Sequence, residues 1–350
     1  MLLIFPPVAR PCEPPAGIAR LAGALRANGL SCRILDANLE GLLWIVDKSA
    51  VTGDTWTRRA EINRNRHLAA LRGTDIYGSP ARYSRAVRDI NRLLNVAGHG
   101  SSAVVGLADF QDANFSPVRS SDLIRSAECY EQNLFFPWFS QRLIELLDGV
   151  RTVGFSLNYL SQAVVTFAMI GFIRKHLPKL SIVLGGGLVT SWVSRPGWIN
   201  PFGGLVDEIV SGPGENSLLS IWGMNESAIS CSKPDYSGLP LDRYLSPGLI
   251  LPYSAASGCY WNRCSFCPEP AEGNGFHPVP ARQAAAELRL LAAEYRPVLI
   301  HILDNAITPA LLDQVVASPP SAPWYGFARF SPELTDLDYC LGLKNSGCVM

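Results

Sequence analysis

The stretch that decides the fold comes first: MLLIF (residues 1–5), the proline-rich PPVARPCEPPAG (6–17), GIARLAGALRANG (17–29) and SCRILDA (31–37). An unbroken apolar run this short suits a strand buried on both faces. Ile18, Leu21 and Leu25 then share one helical face, and Gly29 stands where a helix stop is expected. SCRILDA follows the helix, so it returns beside the first strand in parallel. The alternation resumes at RTVGFSL (151–157), passes through a helix ending near His176, and continues with SIVLGGG (181–187), DEIVSG (207–212) and the helix-like GENSLLSIWG (214–223). Five strands with intervening helices make a doubly wound α/β domain over 1–222.

Between about 46 and 149 the strand alternation is broken. RRAEINRNRHLAALRG (58–73) and SRAVRDINRLLNVAG (84–98) have helical, amphipathic spacing, so this segment reads as a largely helical insertion between the second and third strands. Residues 223–246, rich in Ser, Pro, Gly and Asp, read as a linker. A second βα series occupies 247–350: LILPYSAAS (249–257), a helix over 281–295 with an apolar stripe at Leu288, Leu291, Ala292 and Tyr295, then VLIHILD (298–304). Thr308 and Pro309 cap and open a helix, WYGFARF (324–330) makes a third strand, and a last helix runs from Thr335 to near Gly347. Cys348-Val349-Met350 reads as the first residues of a fourth strand. With about three βα units the series is a partial, apparently truncated barrel with an open edge.

The chain has 350 residues, 48% of them apolar, with 30 basic and 30 acidic side chains. That composition excludes disorder and fibrous repeats, and the neutral balance gives no electrostatic reason for a nucleic acid or an anionic membrane as partner. The start carries no basic segment before its apolar run, which points to a cytoplasmic address. Residues 152–173 are uncharged, yet Gly154, Ser156, Asn158, Ser161 and Gln162 interrupt them, so they read as a buried strand and helix and not as a membrane span. Nine cysteines, an odd number, argue against a disulfide framework. Those at 12, 32, 129, 231, 340 and 348 are scattered and read as small buried hydrophobes.

The other three are clustered. Ser257-Gly-Cys259-Tyr-Trp-Asn-Arg-Cys264-Ser-Phe-Cys267-Pro sets thiols at C-x4-C-x2-C on a loop directly after a strand. Three thiolates can hold three irons of a cubane and leave the fourth without a protein ligand. They can also hold zinc with His277 as fourth ligand, which makes a non-catalytic metal-binding module the competing reading. Asp304 ends the strand VLIHILD and Arg329 ends WYGFAR, so both project from the carboxyl edge of the sheet toward a ligand. His301, inside its strand, reads as a packed residue. In the first domain, small-residue turns lie at the strand ends: Pro6-Pro7, Ser156-Leu157-Asn158, Gly185-Gly186-Gly187 and Gly212-Pro213-Gly214-Glu215. Glycines there admit close approach of a flat ligand.

The cysteine pattern, with aromatic Phe266 just before the last thiol, resembles the radical S-adenosylmethionine superfamily, whose usual spacing is one residue shorter between the first two cysteines. The strand-end turns, in their order ahead of PDYSGLPLDRYLSP, resemble the cobalamin-dependent (B12-binding) branch of that family. The resemblance implies a flavodoxin-like, cobalamin-binding doubly wound domain followed by a radical S-adenosylmethionine barrel. It implies a [4Fe-4S] cluster on Cys259, Cys264 and Cys267. It further implies S-adenosylmethionine near Phe266, Asp304, Asn305 and Arg329, cleaved reductively to a 5′-deoxyadenosyl radical. Cobalamin would lie along Pro7, Ser156, Asn158, Tyr159, Gly185, Gly186, Gly187, Gly212, Gly214 and Glu215. No D-x-H-x-x-G occurs in the sequence. A lower axial histidine from that motif is therefore not expected, and water or a side chain such as Asn158 or Tyr159 would face the cobalt. Many members of this branch transfer methyl groups to unactivated carbons. The expected partners are a small-molecule or peptide substrate and an electron donor such as flavodoxin or ferredoxin. An inactive fragment of such an enzyme is the other alternative.

Overall fold

The computed structural model describes residues 1–48, 54–224 and 232–350. They form two compact units, Met1–Ser246 and Pro247–Met350.

In the first unit β1 (Leu2–Phe5) leads through α1 (Ala16–Ala27) to β2 (Arg33–Asp36). The end of α1 is closed by two reversed hydrogen bonds, Gly29 N–H to Arg26 O and Leu30 N–H to Leu25 O, the Schellman arrangement that the glycine announces. The insertion follows as α2 (Ala37–Lys48), α3 (Thr55–Ile62), α4 (Arg64–Arg72), α5 (Pro80–Ala97), an antiparallel ribbon of β3 (Ala103–Val105) and β4 (Phe110–Asp112), α6 (Ser120–Glu128) and α7 (Phe136–Leu147). Two details differ from the sequence expectation. The segment 58–73 is divided at Asn63 into two helices, and a short ribbon interrupts the helical series.

The sheet then continues with β5 (Thr152–Ser156), α8 (Leu160–His176), β6 (Ser181–Gly185), α9 (Gly187–Val193), β7 (Glu208–Ile209) and α10 (Glu215–Ile221). All five strands are parallel, in the order β2-β1-β5-β6-β7. That is the 2-1-3-4-5 order of a flavodoxin-like sheet, whose direction of winding reverses between its first and third strands. The alternation of β1 divides the core. Leu2 and Ile4 join a cluster with α2, α5, α7 and α8, and Leu3 and Phe5 join a second one with Ile18, Leu25, Val210 and Leu218. Residues 162–173 of α8 are all buried, which explains why this helix carries no polar face.

The segment expected to be a linker is not free. Over its described residues, 232–246, it straps the first unit: Asp235 pairs with Arg26 at 2.7 Å, Asp235 N–H bonds Ala19 O, and Tyr236 and Tyr244 are buried. The rest of it, including Cys231, lies outside the described residues. Of the other scattered cysteines only Cys32 is buried, and Cys12, Cys129, Cys340 and Cys348 are half-buried, so the expectation of buried hydrophobes holds at one of them.

The second unit opens with β8 (Ile250–Tyr253), then the paired β9 (Ala256–Ser257) and β10 (His277–Pro278) enclosing α11 (Pro268–Glu272). It continues through α12 (Ala281–Tyr295), β11 (Leu299–Ile307), α13 (Pro309–Ala317), β12 (Trp324–Ala328) and α14 (Leu337–Asn345). β8, β11 and β12 form a parallel sheet in sequence order. Thr308 caps α13 through Leu311 N–H, as expected, and α14 is capped by Asp336, one residue later than its expected start. Cys348 makes a parallel bridge to Trp324, where a fourth strand was expected to begin. Among the described residues no helix is long and apolar enough to cross a membrane.

Candidate functional site

The predicted residues of the first unit gather at the carboxyl ends of β1, β5, β6 and β7, where such sheets hold ligands. A side chain absent from the predicted set organises this edge. Gln162, fully buried at the start of α8, accepts from the backbone N–H groups of Asn158 and Tyr159 at 2.9 and 3.1 Å and donates to Pro6 O at 2.6 Å. It therefore ties the β1 loop to the β5 loop across the reversal point. Ser161 Oγ adds a bond to Val8 O, and Asn38 accepts from Ala9 N–H at 2.8 Å. Asn158 is also committed, its amide donating to Ser156 O and Oγ and accepting from Gly187 N–H at 2.9 Å. Tyr159 is 56% exposed.

Gly186 has φ +110°, and a Cβ there would lie 2.4 Å from Leu157 O, so only glycine lets β6 turn against the β5 loop. Gly212 N–H donates to Thr190 Oγ1, Gly214 precedes α10, and Glu215 opens it. A Cβ added at Gly17 or Gly187 would meet nothing closer than a polar side-chain atom at 4.0 or 3.7 Å, and one at Gly212 would meet open space. Within the β1 loop, burial and then the Glu13 carboxylate push the Cys12 thiol up to about 11, which keeps it protonated and unreactive at neutral pH.

In the second unit the three clustered thiols lie on the loop 258–267 between β9 and α11, each free and half-buried. Gly258 starts the loop with φ +75°, and a Cβ on it would fall 2.3 Å from Gly275 O, so the glycine lets the two arms of the ribbon close. Cys267 N–H bonds Cys264 O at 3.1 Å. Among the described residues no three His, Cys, Asp or Glu side chains are arranged as a metal-ligand set. His277 lies exposed on β10.

Asp304, Asn305 and Arg329 all reach this loop or its flanks. Asp304 does not end its strand, because β11 runs on to Ile307. Its buried carboxylate accepts from Ala255 and Ala256 N–H at 2.8 and 3.1 Å, fixing the turn between β8 and β9. Asn305 donates to Glu269 Oε1 at 2.7 Å, on the helix that follows Cys267. The other oxygen, Glu269 Oε2, is buried with no hydrogen-bond partner. Arg329 sets its guanidinium carbon 3.3 Å from the centroid of the Trp261 ring, and Arg263 approaches the same ring at 5.4 Å. Phe266, Phe327 and Phe330 are 89%, 66% and 98% exposed. His301 is half-buried and stacks on Tyr325, 4.4 Å between ring centroids. Trp261, Glu269 and Gln162 were missed in the sequence. The spacer position of Trp261 inside the cysteine motif was the one available signal. A cavity of about 520 Å³ bordered by Asp112, Arg119, Asp122 and Arg125 belongs to the insertion and holds none of the predicted residues.

With this geometry in view, two solved structures are informative. Both are of the radical S-adenosylmethionine methyltransferase TsrM from Kitasatospora setae, one with cobalamin and a [4Fe-4S] cluster bound, the other with its tryptophan substrate and a S-adenosylmethionine analogue. They align over 99% of this chain at 17% identity, with TM-scores of 0.51 and 0.50. The chain shares their fold. It spans 59% and 57% of those chains. No protein-family model matches the sequence, and no curated protein matches it.

Proposed function

We propose that the chain belongs to a cobalamin-dependent radical S-adenosylmethionine enzyme, with Cys259, Cys264 and Cys267 holding a [4Fe-4S] cluster. The observation that carries this is the C-x4-C-x2-C loop beyond the first strand of a parallel βα series, in a chain with the fold of TsrM. The donor set fits: three free thiols on one loop satisfy three irons and leave one for a ligand. The surroundings fit as well. The unpartnered Glu269 Oε2 can accept from a ligand ammonium, and Phe266, Asp304, Asn305 and Arg329 border the loop.

When bound, the cluster supplies the electron that splits S-adenosylmethionine into methionine and a 5′-deoxyadenosyl radical, and cobalamin supplies a methyl carrier for an unactivated carbon. The protein binds and orients. Asp304 and Asn305 fix the flanks of the cysteine loop. Gln162 holds the two ligand loops of the first unit, and Pro7, Ser156, Asn158, Tyr159, Gly185, Gly186, Gly187, Gly212, Gly214 and Glu215 line their rim. The substrate is a small molecule or peptide, and a flavodoxin- or ferredoxin-type protein delivers the electron.

The test is anaerobic reconstitution, with iron and sulfide analysis, electron paramagnetic resonance of the reduced protein and assay of 5′-deoxyadenosine. Four irons per chain, lost in Cys259→Ala, and nucleoside release under reduction are expected. A colourless protein carrying zinc would overturn the proposal in favour of a metal-binding module.

A further inference from the structure

The two halves of the cysteine loop are held in different ways. Its C-x2-C half is tightened by its own backbone, Cys267 N–H to Cys264 O. The longer C-x4-C half is held through rings. Tyr260 meets Phe276 edge-on at 6.3 Å, and Trp261 lies under the Arg329 guanidinium at 3.3 Å. Asn262, next to that indole, has φ +45°, in the left-handed region that asparagine enters more readily than other non-glycine residues.

Arg329 follows β12 directly, one residue beyond the last pairing of that strand, Ala328 with Ile307. A guanidinium lies flat on an indole face more readily than an ammonium does, and the contact strengthens when it is shielded from water. Both residues are half-buried. Asp304 and Asn305 secure the two flanks of the loop, through Ala255 and Ala256 on one side and Glu269 on the other.

We infer that Arg329 is a positioning residue: through its stack on Trp261 it fixes the C-x4-C half of the loop, and with it the separation of Cys259 and Cys264. The inference rests on the iron–sulfur reading for its purpose but not for its geometry. Arg329 thus acts on the loop itself.

The test uses the metal-free chain first. Iodoacetamide labelling of Cys259, Cys264 and Cys267 is followed by peptide mass spectrometry, with Cys340 as internal reference. Arg329→Met and Trp261→Ala should each speed labelling of Cys259 and Cys264 about tenfold relative to Cys340, the scale of one lost shielded cation–π contact. Arg329→Lys should recover part of the protection, and Trp261→Phe should keep most of it. After anaerobic reconstitution, the Met and Ala variants should release iron to a chelator about tenfold faster than the parent. If Arg329→Met does not fold by circular dichroism, the graded pair Trp261→Phe and Trp261→Ala carries the same comparison. Labelling and iron release unchanged in Arg329→Met and Trp261→Ala would overturn the inference. A parent that takes up no iron, yet shows the labelling differences, would sink the cluster proposal and leave the positioning role standing.

Discussion

Tyr244 and Asp36 stand 208 positions apart and are joined by a 2.6 Å hydrogen bond, the phenol donating to the carboxylate in the interior of the first unit. Asp36 also accepts from Leu39 N–H at 2.8 Å and so caps α2 at the end of β2. One carboxylate thus fastens strand, helix and strap together.

Burial is the dominant influence on this group. It raises the Asp36 carboxyl from 3.8 to about 6, against the Leu39 and Tyr244 bonds that favour the ionised form. Because the folded state holds the proton more tightly, its stabilisation is complete below the unfolded value near 4 and is lost as pH rises through 6. Urea unfolding at pH 5 and pH 8 should show the parent losing about 1 kcal/mol more than Asp36→Asn across that interval. Equal pH dependence in the two proteins would show that this carboxyl is not the titrating group.

Gly186→Ala should destabilise the first unit by about 3 kcal/mol or more, since the new methyl meets Leu157 O at 2.4 Å in a left-handed backbone. Gly212→Ala, with φ +75° but open space around it, should cost only about 1–2 kcal/mol. Denaturant midpoints of the two variants check the contrast.

Gln162→Leu would leave Pro6 O without its partner in a buried place, at a cost of about 1–3 kcal/mol, and would free the part-buried Asn158 and Tyr159 N–H groups. Gln162→Glu keeps both acceptor bonds and, as the neutral acid, a donor for Pro6 O, so it should be milder. Absorbance titration with hydroxocobalamin should show weakened binding in the order parent, Glu, Leu. Equal affinities would place the cobalamin elsewhere.

His277→Ala should leave the metal content of the reconstituted protein unchanged, because His277 is exposed on β10 and is not needed by a cluster held on three thiolates. Elemental analysis of the variant beside Cys264→Ala decides this. Metal loss in both would restore the Cys3His zinc set.

The elements of the sheet were legible because their signals are local. MLLIF, RTVGFSL and SIVLGGG are short apolar runs bounded by Pro or Gly, and each became a strand of the first sheet. The cysteine motif was legible for the same reason. What escaped the sequence depends on partners far along the chain. PDYSGLPLDRYLSP looks like a linker because its turn residues dominate, yet Tyr244 finds Asp36 and Asp235 finds Arg26. Asp304 looked like a strand terminus because charge follows an apolar run. In the fold the alternation continues, with Asp304, Ala306 and Ile307 buried and the carboxylate paid off by two backbone donors. Trp261 gave no sign of Arg329, since cation–π contacts have no spacing rule.

The enclosure of α8 on every side has a dynamic consequence. Amide protons along residues 162–173 can exchange with deuterium only when the whole first unit opens, so this helix should be its slowest-exchanging segment. The loops that Gln162 suspends at its amino end are hung from the most durable member of the unit, and their breathing is damped at that point of attachment.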